Sequence, residues 1–141
     1  MRRMLTVAAS VVLVLGVAAP AASASTAPVT QVIKVNTVQT SATVQGLSFS
    51  FTENLWQHGK KVGTDAVTCA FSSPSPTAVA HCTGVAIFPG SGDLFVTATG
   101  TSTGATGRVV GGTGVFTNAH GTLLVVNTSS STGRLTLTFH V

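Results

Sequence analysis

The chain has 141 residues, 44% of them hydrophobic and only 7% charged, with 15 Gly, 5 Pro and no Tyr. That length supports a single hydrophobic core, and so apolar a composition excludes an ordinary disordered chain. Seven Lys+Arg against three Asp+Glu give a net charge of +4, but the cations are scattered rather than clustered, so no nucleic-acid partner is expected.

Met1-Arg2-Arg3 makes a positive start, followed by an apolar stretch from Met4 to Ala19 and then Ala22-Ser23-Ala24, the small-x-small pattern of a signal-peptidase site. The pattern predicts a cleavable signal peptide over residues 1–24 and a secreted domain over 25–141. An apolar stretch of about 16 residues is short for the roughly 20 of a membrane span, so no membrane contact is expected after cleavage. Without the leader, Lys34, Lys60, Lys61, Arg108 and Arg134 stand against Glu53, Asp65 and Asp93, which leaves +2.

Beyond the leader, helical spacing is absent and apolar residues alternate at the period of a strand. The first strand is expected over residues 30–39. In the second, Leu47, Phe49 and Phe51 share one face and Ser48, Ser50 and Thr52 the other, before the turn Gln57-His58-Gly59-Lys60. Strands over 64–72 and 78–88 flank Ser73-Pro74-Ser75-Pro76. Folding that segment as a hairpin centred between Ser75 and Pro76 sets Cys69 opposite Cys82. Directly opposed Cα atoms are roughly 4.5–5.5 Å apart, within reach of a disulfide, and an exported protein meets an oxidising environment. The alternative is two free thiols.

Further strands are expected over 94–99, 108–110 and 122–127. The stretch 97–107, Thr-Ala-Thr-Gly-Thr-Ser-Thr-Gly-Ala-Thr-Gly, reads equally as a loop or as strand with glycine at the bends. At the end, Leu135, Leu137, Phe139 and Val141 alternate with Arg134, Thr136, Thr138 and His140. Seven or eight short antiparallel strands close into a barrel or split into a sandwich, and closure hides the edges that so uncharged a chain needs hidden.

Motifs for chemistry are few. His58, His81, His120 and His140 have no metal-ligand spacing, so neither a metal nor a cofactor is expected. There is no G-x-S-x-G for a hydrolase. Gly111-Gly112-Thr113-Gly114 lacks the Lys-Ser/Thr and the helix of a phosphate loop, and reads as turn geometry. Trp56 either caps a barrel mouth or packs beside Leu55. Asn127-Thr128-Ser129 matches a glycosylation acceptor.

Two stretches resemble the allene oxide cyclase barrel, a fold shared with plant dirigent proteins. The first is Phe51-Thr-Glu-Asn-Leu-Trp56 with Gly59-Lys-Lys-Val-Gly63, ending at Cys69. The second is Val109-Val-Gly-Gly-Thr-Gly-Val-Phe116, Asn118-Ala-His-Gly121 and the closing strand Arg134-Leu-Thr-Leu-Thr-Phe-His140. The resemblance covers about residues 47–141 and implies an eight-stranded antiparallel barrel, often trimeric, with a cavity for an apolar small molecule. Members steer a ring closure or a radical coupling by holding a reactive substrate in one conformation. Cys69 sits where the cyclases place a pocket cysteine, and Glu53 or Asn54 where they place an asparagine that orients water. Their first-strand glutamate has no counterpart in Val32–Val38, their pocket tyrosine none anywhere, and His120 stands where dirigent proteins usually have arginine.

The expectation is therefore an all-β protein, a single closed antiparallel barrel of about eight strands, secreted and linked by Cys69–Cys82. It would bind a small hydrophobic metabolite between Phe49, Phe51, Trp56 and His120. Glu53, Asn54 and Asp65 are the candidate catalytic residues for a cyclisation or coupling without a cofactor, an acid moving a proton to a confined substrate. A homo-oligomer, a trimer by resemblance, is expected. The alternative is a non-catalytic extracellular ligand-binding or interaction protein. An open cavity holding an acid favours catalysis, a dry open cavity carriage, and a filled barrel an interaction role.

Overall fold

The computed structural model describes residues 27–141, and the expected signal peptide lies outside them. Eight strands follow one another: β1 (Gln31–Gln45), β2 (Ser48–Gln57), β3 (Lys60–Phe71), β4 (Ala80–Phe88), β5 (Gly92–Thr101), β6 (Gly104–Gly112), β7 (His120–Asn127) and β8 (Thr132–His140). Each pairs antiparallel with the next, and β1 pairs with β8 from Gln31↔Phe139 to Val38↔Thr132, so the sheet closes into a barrel in strand order. That seam excludes a sandwich.

Tight turns make the meander possible. His58 and Gly59 both have positive φ, 50° and 74°, which is the backbone of the two-residue hairpin whose twist matches its strands. Between β1 and β2, Gly46 at φ 60° does the corresponding work in Gly46-Leu47. The low-complexity stretch 97–107 resolves into strand on either side of a turn at Ser102-Thr103. Here threonines face solvent and Ala98, Gly100, Ala105 and Gly107 face inward, paired Ala98↔Gly107 and Gly100↔Ala105. β1 runs six residues past its expected end at Gln39, with a bulge between Gln39 and Ser41 that keeps Ala42 and Val44 inward opposite Phe51 and Phe49.

The two ends of the barrel differ. At the end where β2, β4 and β6 finish, Leu55, Leu94, Leu137 and Phe139 are at most 1% exposed. A single 3-10 turn, Gly114–Phe116, follows the glycine run and carries Phe116 under the barrel. Its ring meets Phe88 and Phe139 edge to face, each with centroids 5.7 Å apart. This end is a packed floor. At the other end the inward residues Phe49, Phe51, Val67, Val96, Ala98 and Val125 are only half-buried, and Val44 and Phe71 are exposed. The same alternation that fills one half closely leaves the other more exposed, although Cys69 and Ala80 at that end are buried.

Candidate functional site

The disulfide lies toward the more exposed end. Phe49↔Cys69 and Cys69↔Cys82 are register pairs on the inner face of β2, β3 and β4. The cysteines are bonded, with Cα atoms 4.0 Å apart, and no free cysteine is present among the described residues. Cys69 is thus a wall element and offers no thiol. Beside it stand three phenyl rings: Phe49 stacks on Phe51 at 5.9 Å and tilts against Phe71 at 5.1 Å.

Deeper in, β2 and β3 present Glu53 directly opposite Asp65. Both side chains face inward, because Glu53 shares the parity of Phe51 and Leu55, and Asp65 that of Val67 and Cys69. They sit between the phenyl wall and the packed floor. Asp65 is 6% exposed, and its Oδ1 has no hydrogen-bond partner.

Both acids are driven toward the protonated form. Burial pushes Asp65 up to about 7, the Glu53 charge adds to the rise, and the Glu53 backbone amide works against it. Burial also raises Glu53, and a hydrogen bond from the Thr37 side chain opposes the rise. Two carboxylates facing each other across a strand pair repel when both are ionised, so the pair keeps a proton to higher pH than an isolated carboxyl would.

The other residues singled out from sequence lie apart from this site. Asn54 is adjacent to Glu53 in the chain and so faces outward, in register with Val38 and Thr64. Trp56 pairs with Asn36 on the outer face and lines an external groove of about 690 Å³ with Lys34, Gln57, His58 and Arg134. His120 is exposed; its Nδ1 lies 2.9 Å from the Asn118 carbonyl oxygen and its ring packs against His140, its partner across β7 and β8. The arrangement brings together Glu53, Asp65, Phe49 and Phe51, and leaves Asn54, Trp56 and His120 outside. No cluster of three or more metal-ligating side chains occurs among the described residues.

Two contributors were not singled out from sequence. Thr37, 3% exposed, reaches Glu53, and Gln39 is the register partner of Glu53 on β1. Both faces of β1 mix polar and apolar residues: Gln31, Ile33, Val35, Thr37 and Gln39 on one, Val32, Lys34, Asn36 and Val38 on the other. Alternation alone could not tell inside from outside there. Pairing with Leu135 and Leu137 on β8 does.

Among solved structures, a chain named pyocyanin demethylase has a similar fold, with a TM-score of 0.68 at 20% identity, covering 77% of this chain and 99% of that one. No protein-family model matches the sequence, and no curated protein matches it. At that identity the likeness is one of fold.

Proposed function

We propose that this is a secreted barrel that takes a small hydrophobic molecule into its open half and moves a proton on it with Glu53 and Asp65, steering a cyclisation or coupling without a cofactor. The observation that carries the reading is the inward acid pair at the base of an apolar mouth, with Asp65 Oδ1 unpartnered. The phenyl and valine walls exclude water and hold the substrate in few conformations, which lowers the barrier by orientation. An acid held near neutrality is protonated often enough to donate and ionised often enough to accept, the condition for general acid–base work near pH 7. The position of Glu53 in the stretch that resembles the cyclases supports the same assignment.

Export is supported by the Cys69–Cys82 bond, which persists in oxidising compartments. No described helix is long and apolar enough to cross a membrane. A carrier without turnover is the second reading, favoured by a mouth whose walls are otherwise phenyl, valine and alanine.

The test is native mass spectrometry of the protein purified from its own culture medium, followed by assay of any co-purifying compound. Turnover of that compound by the wild type and its loss in Glu53→Gln, with the ligand still bound, supports catalysis. Binding with no turnover leaves carriage as the function. An unliganded barrel that takes up no apolar compound overturns both.

A further inference from the structure

The charge distribution of the barrel is one-sided. Lys34, Lys61, Arg108 and Arg134 occupy outer-face positions, and Lys60 lies at the β2–β3 hairpin. His81, His120 and His140 also face outward, and His58 is in a turn. Of the three acids, two point inward. Facing them are Thr37 and Gln39 from β1, Gly84 and Ala86 from β4, and Leu94 and Val96 from β5. None of these titrates. The described interior therefore contains two carboxyl groups and no base.

A buried carboxylate needs a counter-charge, a proton or hydrogen-bond donors. Thr37 serves Glu53, while Asp65, 94% shielded from solvent, has an oxygen with nothing to bond. Along β2, Phe51 and Phe49 follow Glu53 at two-residue steps, each about 7 Å further toward the mouth. An aromatic ring laid along the phenyls would bring a charge at one end to the acids, and phenyl faces themselves attract cations.

We propose that the ligand is a flat aromatic cation, a protonated or quaternised nitrogen heterocycle, with its ring against Phe49 and Phe51 and its positive charge against Glu53 and Asp65. The assignment rests on the open half of the barrel being the ligand site. An anionic lipid or aryl acid meets like charge there. A ring without a basic nitrogen leaves the proton on the pair and gains no ion pairing. The cation replaces that proton, so binding releases it.

The test compares 10-methylacridinium with 9-methylanthracene, of nearly the same shape, without a basic nitrogen and uncharged at every pH, by fluorescence titration and calorimetry on the purified protein. The cation is expected to bind at least tenfold more tightly at pH 7.5. At pH 7, repeating the calorimetry in buffers of different ionisation enthalpy should show up to one proton released. The affinity for the cation should fall several-fold at pH 5, where the pair is more fully protonated, while that for 9-methylanthracene stays level; neither probe changes its charge. The double variant Glu53→Gln, Asp65→Asn should bind both probes with similar affinity. Equal or tighter binding of 9-methylanthracene at pH 7.5, or cation binding without proton release, overturns the cation assignment and leaves the ligand site standing. Binding of neither probe, with circular dichroism showing a folded barrel, overturns both.

Discussion

Asp65 is a residue whose ionisation opposes folding. Its pKa rises from 3.8 to about 7 in the barrel, so the folded state holds a proton that the unfolded chain has given up between those values. The sign follows: the fold carries no penalty below about pH 4, and loses stability progressively as pH rises toward about 7, by about a few kcal/mol. Glu53, also raised, adds in the same direction. The melting temperature should therefore be higher at pH 5 than at pH 8, and Asp65→Asn should flatten the difference. A wild type at least as stable at pH 8 as at pH 5 contradicts the buried, uncompensated acid. The proposed acid–base role gives a second prediction at this scale: Glu53→Gln keeps the shape and hydrogen-bonding capacity at that position but cannot donate or accept a proton, so under that proposal turnover should fall by about 10²-fold or more with the fold intact.

At the level of elements, the two ends of the barrel are stabilised by different means. The β3–β4 hairpin crosses the mouth, where packing is thin, and the bond between Cys69 and Cys82 closes its 13-residue separation. Replacing both cysteines by alanine should cost about 3 kcal/mol in the chain-entropy account, read as a lower denaturation midpoint. A midpoint unchanged from the bonded protein would show that strand pairing alone fixes the hairpin. At the closed end, the 3-10 turn Gly114–Phe116 matters for one ring. Phe116 is 6% exposed between Phe88 and Phe139, and Phe116→Ala should cost about 3–5 kcal/mol. Because the floor lies away from the acids, affinity for the proposed ligand in the surviving folded fraction should change much less than stability.

For the whole molecule, closure is the cooperative event. β1 belongs to both ends of the chain's pairing, with β2 on one side and β8 on the other, so no strand is an edge and neither terminal strand can leave without opening the core. Amide exchange should show this. Protected backbone amides at Val35 and Leu135, paired across the seam, are expected to exchange only by global unfolding, with the same free energy as those of the central strands. Faster exchange at the seam than at β4 or β5 would mean that the barrel opens there first.

Much of this was legible in the residues. Alternation in Leu47–Thr52 and Arg134–His140 announces half-buried strands, the turn chemistry separates them, and hairpin symmetry about Ser75 and Pro76 places Cys69 opposite Cys82. These are local properties, set by side-chain period and backbone preference within a few residues. The site was less legible. Glu53, Asp65, Phe49 and Phe51 were singled out and lie together, but Asn54, Trp56 and His120 lie on the outer face, and Thr37 and Gln39 emerged only with the fold. A shift of one position moves a strand residue from inside to outside, and the mixed faces of β1 do not say which is which. The chain by itself determined strand, turn and disulfide, because each is decided by neighbours in sequence or in one hairpin. Only the tertiary structure decided which acids share the inner face and which end is packed shut, because both depend on how the bulges and the seam between β1 and β8 set eight strands in register.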